Sequence, residues 1–216
     1  MKKTALENIL ESRLIVIIRG VPIERIESVG DALYRGGVRA LEVTFAADGS
    51  TSDEQTAQKI KLLSQKYDGK MSVGAGTVLT PEQVELAASA GAEFIVSPDV
   101  NADVIKKTKS LSLASVPGAF TASEAMTAHR AGADIIKLFP AGAVSAEYLS
   151  AITAPLSHLK YFVVGGVTRQ NLPEFLSKGA CGAGISSGIV SKKAVEEENY
   201  AQIEQNARDF LEILKK

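Results

Sequence analysis

The sequence predicts an α/β protein, a small single-domain (β/α)8 TIM barrel with a short N-terminal helix, spanning residues 1–216. Two observations support this prediction. Short β-branched apolar runs alternate with amphipathic segments of about 10 to 15 residues along the whole chain, which is typical of repeated βα units. Glycine closes four of the amphipathic segments just before the next apolar run. Eight βα units in a chain of this length favour a closed barrel over an open doubly wound sheet.

Eight apolar runs have the length and residue types of strands. Each is followed by an amphipathic segment, so we expect the runs to form the eight parallel strands of the barrel. In chain order they are Leu14–Arg19, Ala40–Phe45, Met71–Gly74, Phe94–Ser97, Leu113–Val116, Asp134–Phe139, Tyr161–Val164 and Gly182–Ser186.

A helix is predicted after each strand. Thr80 and Thr121 precede a Gln or Glu by three positions, which is the spacing of a capping box at a helix start. The predicted helices are Glu24–Arg35, Asp53–Tyr67, Pro81–Ala90, Ala102–Lys109, Ala122–Ala131, Ala146–Thr153, Arg169–Lys178 and Tyr200–Leu214. One more, Ala5–Ser12, is expected to cover the bottom of the barrel.

Composition argues against several classes of partner. The formal net charge is -1 and the basic residues are scattered, so no nucleic-acid partner is expected. The apolar run Leu14–Ile18 is too short for a signal sequence or a membrane span, which predicts a cytoplasmic protein with no membrane partner. Cys181 is the only cysteine, and the two histidines, His129 and His158, are expected at the surface. No metal site is predicted.

Three charges fall on strand faces that we expect to point into the barrel. Because side chains alternate along a strand, Arg19, Glu42 and Lys137 lie on the inward faces of strands one, two and six. Burial lowers the pKa of a lysine, and the neutral amine is a nucleophile that can form a Schiff base. An internal ion-pair network that only fills the barrel is the alternative. A catalytic role is favoured, since apolar residues often replace buried ion pairs without loss of stability.

Two glycine-containing loops predict a phosphate site. Val164, Gly165 and Gly166 end the seventh strand, and Ser186 and Ser187 end the eighth. In barrels of this type the backbone N–H groups of these loops bind a phosphate, so we expect a phosphorylated small-molecule substrate. The third strand ends in a glycine-rich turn before Thr77, whose hydroxyl either holds a substrate carboxylate or only shapes the turn.

Motifs along nearly the whole chain resemble the family of 2-keto-3-deoxy-6-phosphogluconate (KDPG) and 4-hydroxy-2-oxoglutarate (KHG) aldolases. The matching strings are Ile17-Ile18-Arg19, Gly36-Gly37-Val38-Arg39-Ala40-Leu41-Glu42-Val43-Thr44, Gly74-Ala75-Gly76-Thr77-Val78-Leu79, Ser97-Pro98, Pro117-Gly118, Ile136-Lys137-Leu138-Phe139-Pro140-Ala141 and Gly165-Gly166-Val167. The resemblance implies a class I aldolase, a lyase in which Lys137 forms a Schiff base with pyruvate, Glu42 moves protons and Thr77 helps to hold the pyruvate carboxylate. It also implies a homotrimer without a cofactor.

Two positions differ from the pattern of the family. Many members have an arginine that pairs with the pyruvate carboxylate where this chain has Ala46, and Arg19 is the nearest replacement on the inward face. Many gluconate-type members have a threonine at the position of Val164. The galactonate-type relatives have a valine there, as this chain does. Loss of that hydroxyl removes one substrate hydrogen bond, which relaxes or inverts a preference between epimers. The loop Ala46–Asp53 is also longer and more polar than is usual.

The expected reaction is cleavage of KDPG to pyruvate and glyceraldehyde 3-phosphate, with KHG cleavage to pyruvate and glyoxylate as a further activity. Lys137 and Glu42 are the expected catalytic residues. The expected substrate-binding residues are Arg19, Thr77, Phe139, Val164, Gly165, Gly166, Ser186 and Ser187. Three alternatives stay open: an aldolase for the galactonate epimer, a phosphosugar isomerase or epimerase on the same barrel, and a non-catalytic phosphometabolite-binding module.

Overall fold

The computed structural model describes residues 3–215, in which nine parallel strand segments form one sheet. Tyr161–Val164 begins and ends where the sequence predicts, and most other strands are shorter at their ends. The segments are β1 (Leu14–Ile18), β2 (Ala40–Thr44), β3 (Ser72–Gly76), β4 (Phe94–Val96), β5 (Ala114–Val116), β6 (Gly118–Ala119), β7 (Ile136–Leu138), β8 (Tyr161–Val164) and β9 (Ala180–Ile185).

The nine segments make eight barrel strands, because β5 and β6 are two parts of one strand. They stand at the two ends of the hydrogen-bonded order β5-β4-β3-β2-β1-β9-β8-β7-β6, yet only Pro117 separates them along the chain. Proline has no N–H to donate, so the strand is interrupted there. On one side of this residue the strand pairs with β4, and on the other side it pairs with β7. The predicted eight-stranded barrel is therefore confirmed, and the interruption of its fifth strand was not predicted.

The sixth strand begins two residues later than predicted, Ile136–Leu138 instead of Asp134–Phe139, and two others extend two residues beyond a predicted limit. The third runs over Ser72–Gly76 instead of Met71–Gly74, and the last runs over Ala180–Ile185 instead of Gly182–Ser186. Both contain glycine and alanine, which carry little strand preference of their own. Their pairing with neighbouring strands determines their limits.

Every predicted helix is present, although the eighth is shorter, Leu172–Ser177 instead of Arg169–Lys178. Two short elements were not predicted: a single 3-10 turn at Ala141–Ala143 and the five-residue helix Lys192–Glu196. The helices are α1 (Ala5–Ser12), α2 (Ile23–Arg35), α3 (Asp53–Lys66), α4 (Pro81–Ser89), α5 (Ala102–Ser110), α6 (Ala122–Ala131), α7 (Ala146–Thr153), α8 (Leu172–Ser177), α9 (Lys192–Glu196) and α10 (Tyr200–Leu214). Within residues 3–215 no helix is long and apolar enough to span a membrane.

The apolar core has two layers. The larger lies between the strands and the surrounding helices, and the smaller fills the inside of the barrel. Ile15, Phe94, Ile135 and Phe162 belong to the inner layer, and Ile9 of α1 closes it from below. The prediction that α1 covers the bottom of the barrel is thus confirmed. The inner layer leaves only the opposite end, at the carboxyl ends of the strands, for polar chemistry.

We expect Ile9→Ala to destabilise the protein by about 2 to 5 kcal/mol, because it leaves a cavity in the inner layer where Ile9 is fully buried. Urea unfolding followed by circular dichroism measures the loss. Leu10→Ala is the control on the same helix, where the side chain is only partly buried, and should cost much less. Equal losses for the two variants would contradict a specific plugging role for Ile9.

Candidate active site

The carboxyl ends of the strands surround a cleft of about 760 Å³. The structure brings together there every residue that the sequence predicts for the site. These are Arg19, Glu42, Thr77, Lys137, Phe139, Val164, Gly165, Gly166, Ser186 and Ser187. A depression of about 810 Å³ at the opposite end of the barrel contains none of them.

Lys137 lies in the middle of β7, between the neighbouring strands β6 and β8. Its side chain is 6% exposed, and Nζ lies 4.6 Å from the centroid of the Phe139 ring. Burial lowers the pKa of Lys137 from its usual 10.5; the carboxylate of Glu42 opposes this shift and the guanidinium of Arg19 adds to it. A lowered pKa increases the fraction of neutral amine, which is the nucleophilic form.

Glu42 is the carboxyl group of the cleft and is 2% exposed. Burial raises its pKa to about 7, against the opposing effects of Lys137 and Arg19. Oε2 has no hydrogen-bond partner among the described residues. The backbone of Gly76 leaves room for the other oxygen, since a Cβ at that position would lie 2.3 Å from Oε1. A carboxyl group with a pKa near neutrality can both accept and donate a proton under physiological conditions.

Arg19 and Thr77 meet at the mouth of the cleft. One guanidinium nitrogen of Arg19 donates a hydrogen bond of 3.1 Å to Thr77 Oγ1. Thr77 has φ +56°, which is unusual for a β-branched residue and occurs where the surrounding structure imposes it. A guanidinium has five N–H donors in a fork that matches a carboxylate, and the bond to Thr77 uses one of them.

The loops after β8 and β9 form the other end of the cleft. Gly165 and Gly166 have φ of +82° and +73°. Gly142 packs so tightly on Gly166 that a Cβ on either residue would lie 2.8 to 2.9 Å from the Cα of the other. Asn171 fixes the loop by donating to the carbonyl oxygen of Gly166 at 3.0 Å. Within residues 3–215, the N–H groups of Gly166 and Ser187 have no acceptor. Free N–H groups at adjoining loops are the donors that an anion requires.

Three consecutive residues that were not predicted from the sequence also line this cleft: Thr168, Arg169 and Gln170. Arg169 was assigned to the start of a helix, but α8 begins three residues later, so Arg169 lies in the loop. Its position three residues after Gly166 was the available signal. A cation beside a predicted phosphate loop is a candidate contact.

Ala46 does not line the catalytic cleft. It lies in a neighbouring cavity of about 270 Å³, together with Lys59, and Arg19 lines both cavities. Burial lowers the pKa of Lys59, so a second perturbed lysine lies near the site but outside it. Arg19 is the only guanidinium among the described residues that contacts both spaces.

The chain matches the family model of KDPG and KHG aldolase over residues 6–206. It is 38% identical to the 2-dehydro-3-deoxy-6-phosphogalactonate aldolase of Escherichia coli K12, over 82% of this chain and 83% of the relative. It is 32% identical to the KHG/KDPG aldolase of the same organism, over 97% and 96%. A structure of KDPG aldolase from Legionella pneumophila, with pyruvate captured at low pH as a covalent carbinolamine intermediate, superposes with a TM-score of 0.86. It is 27% identical, and the match covers 97% of this chain and 99% of that one.

The pKa of Glu42 has a consequence for stability. Because the folded state raises this pKa from 4.5 to about 7, the folded chain holds the proton more tightly than the unfolded chain does. The contribution of the neutral Glu42 carboxyl group to the free energy of unfolding is present below pH 4.5 and is lost as the pH rises through 7. We therefore expect Glu42→Gln, which stays neutral, to gain about 2 kcal/mol over the wild type between pH 5 and pH 8.

Urea unfolding of both proteins at the two pH values measures this gain. Glu174→Gln is the matched control, because it makes the same substitution at an exposed carboxyl group on α8. A stability difference between Glu42→Gln and the wild type that stays constant with pH would contradict the raised pKa.

Proposed function

The chain belongs to the KDPG and KHG aldolase family, and from that premise we propose that it is a class I aldolase whose nucleophile is Lys137. The aldolase activity expected from the sequence, which makes the protein a lyase, is confirmed by the family match and by the aldolase relatives. One observation carries the proposed mechanism. Lys137 is a buried amine with a lowered pKa, in one cleft with a buried carboxyl group whose pKa is about 7.

The reaction begins with attack of the neutral Lys137 amine on the C2 ketone of a 2-keto-3-deoxy sugar acid 6-phosphate. A proton from Glu42 or from solvent allows the carbinolamine hydroxyl to leave as water, which gives a protonated imine that withdraws electrons from the C3–C4 bond. The low exposure of Lys137 keeps bulk water away from this intermediate.

Glu42 then accepts the proton of the C4 hydroxyl, directly or through a water molecule. The C3–C4 bond breaks, its electron pair moves into the enamine of pyruvate, and glyceraldehyde 3-phosphate leaves. The enamine takes a proton at C3, and hydrolysis of the imine releases pyruvate and regenerates the Lys137 amine. A pKa of about 7 allows Glu42 to accept one proton and return it within a turnover.

The two ends of the cleft bind the two ends of the substrate. Arg19 and Thr77 hold the carboxylate beside the reacting ketone, and Phe139 packs beside the Lys137 amine. Gly165, Gly166 and the two serines of the β9 loop bind the phosphate through N–H and O–H groups. Val164 lies between these ends of the cleft. These assignments follow the position of each residue in the cleft.

KDPG is the leading substrate, with cleavage of KHG to pyruvate and glyoxylate as a further activity. The galactonate epimer is the second candidate, and two observations favour it. Val164 presents methyl groups where many gluconate-type relatives have a hydroxyl, and the 38% identical relative is named for the galactonate compound. The two epimers differ at C4, so the presence or absence of a hydroxyl at position 164 would distinguish them.

We also propose that the chain forms a single domain over residues 1–216 and acts as a homotrimer in the cytoplasm. The likeness to the family supports the trimer, and the short apolar run at Leu14–Ile18 supports the location. The proposed reaction requires only side chains of the cleft and no cofactor.

Sodium borohydride in the presence of pyruvate should trap a reduced adduct on Lys137, because it reduces the imine irreversibly. Peptide mass mapping locates the adduct. Lys137→Ala should abolish trapping and lower cleavage by roughly a thousandfold or more while circular dichroism stays unchanged. Lys59→Ala is the matched control, since Lys59 also has a lowered pKa but lies in the neighbouring cavity. The Lys59→Ala variant should still form the reduced adduct on Lys137.

An untrapped enzyme, under conditions that trap a control aldolase, would contradict the Schiff-base mechanism. An isomerase or epimerase acting through noncovalent proton transfer, or a phosphometabolite-binding module, would give that result.

Val164→Thr should shift the ratio of kcat/KM for the gluconate and galactonate epimers toward the gluconate compound by about tenfold, the effect of one added hydrogen bond. Side-by-side turnover of both epimers, with pyruvate release coupled to lactate dehydrogenase, measures the ratio. Val144→Thr, at a half-buried valine outside the cleft, is the control. An unchanged ratio for Val164→Thr would remove position 164 from the choice between epimers.

A further inference from the structure

Arg169 has no part in the reaction described above, yet it lines the catalytic cleft beside the two glycines of the β8 loop. Its side chain is 39% exposed, so the guanidinium is open to solvent and to a ligand. The loop that carries it is tied down by Asn171, which accepts from the N–H of Thr168 at 2.8 Å and donates to the carbonyl oxygen of Gly166. Arg169 is therefore attached to the same rigid loop as the proposed phosphate-binding glycines.

Helix α10 holds the guanidinium in place. One terminal nitrogen of Arg169 donates to Asn206 Oδ1 at 2.7 Å, and the other lies 3.0 Å from Asp209 Oδ2. The guanidinium carbon lies 5.5 Å from the centroid of the Phe210 ring, and Phe210 also lines the cleft. These contacts restrict the rotamers of a long side chain before any ligand arrives, and leave N–H donors of the fork unused.

Apart from Arg169, the charged side chains that line the cleft all lie around the proposed reacting ketone. Arg19, Glu42 and Lys137 form one group around the proposed reacting ketone, where each shifts the pKa of another. The phosphate end otherwise offers neutral groups, namely backbone N–H groups and the hydroxyls of Ser186 and Ser187. Among the described residues, Arg169 is the only cation that lines the cleft outside the first group. A phosphate dianion is bound more strongly when a charged donor adds to neutral ones.

We propose that Arg169 contacts the substrate phosphate and sets the preference of this enzyme for phosphorylated over unphosphorylated sugar acids. The proposal rests on the aldolase function and phosphate site proposed above. Asp209 is a positioning residue, which orients the guanidinium through their ion pair while its negative charge weakens the pull on a second anion. Asp209→Asn keeps an oxygen acceptor that orients the guanidinium and removes only the negative charge, so this substitution and the loss of Arg169 should have opposite effects on phosphate affinity.

A purely structural role gives a different expectation. If the ion pair only fastens the β8 loop to α10, then loss of either partner loosens the same contact. Arg169→Ala and Asp209→Asn should then change phosphate binding in the same direction. The comparison of these two variants separates the readings, and Arg130→Ala, at an exposed arginine of α6 remote from the cleft, is the matched control.

The first measurement is binding of inorganic phosphate by titration calorimetry at constant ionic strength, which needs no catalytic activity. Arg169→Ala should weaken phosphate binding by roughly tenfold, the loss of one charge-assisted hydrogen bond. Asp209→Asn should bind phosphate as tightly as the wild type or more tightly, and Arg130→Ala should match the wild type. Arg169→Lys keeps the charge but loses the forked N–H donors, so its phosphate affinity should lie between those of the wild type and Arg169→Ala.

The second measurement compares KDPG with 2-keto-3-deoxygluconate, which lacks only the phosphate. The ratio of the two kcat/KM values should fall about tenfold in Arg169→Ala, mainly through a higher KM for KDPG. An unchanged ratio, or equal losses of phosphate affinity in Arg169→Ala and Asp209→Asn, would overturn the proposal. If Arg169→Ala does not fold, the same two readouts in Arg169→Lys decide. Wild-type protein that cleaves neither compound would instead refute the aldolase function, and the calorimetric comparison would still test Arg169.

Discussion

The interior of the barrel holds an amine and a carboxyl group where neither is well solvated, and the rest of the site depends on this arrangement. Burial moves the two pKa values toward each other, downward for Lys137 and upward to about 7 for Glu42. Glu42 Oε2 has no hydrogen-bond partner within residues 3–215, and the charges of Lys137 and Glu42 act on each other across the cleft. A direct ion pair would keep the lysine protonated. Separation leaves the amine free to attack and the carboxyl group free to move protons.

The fold supplies the low dielectric that this arrangement needs. Ile9 and the inner apolar layer close the barrel at the end opposite the cleft. Gly76 permits the carboxyl group of Glu42 to lie against the backbone of the next strand, where any side chain would collide with it. Both features restrict hydration of the charged forms, which is the largest cause of each pKa shift. Stability is therefore reduced at neutral pH by the same burial that makes the groups reactive.

Strand periodicity made most of the site predictable, because alternation alone places Arg19, Glu42 and Lys137 on one side of their strands. Features that depend on distant partners were not predictable. The interruption at Pro117 is visible as a proline, but only the pairing with β4 and β7 shows that one strand is divided there. Arg169 was hidden for a similar reason, since the bond that holds it joins residues 37 positions apart in the chain. Local patterns identify faces and turns, whereas contacts between loops and remote helices require the folded chain.

The positions of the cations along the cleft connect Ala46, one of the two departures from the family pattern, with Arg169. Ala46 stands where many family members have an arginine, and Arg19 is the cation that contacts Thr77. Arg169 adds a guanidinium at the opposite end, fixed by Asn206 and Asp209. A substrate with an anion at each end then gains less of its binding energy next to the reacting ketone and more at the phosphate. Binding energy realised far from the reacting bond still serves to position that bond, provided the substrate is rigidly held between both ends. Under the proposed function, the phosphate end takes over part of the orienting role that an arginine at position 46 has in many family members.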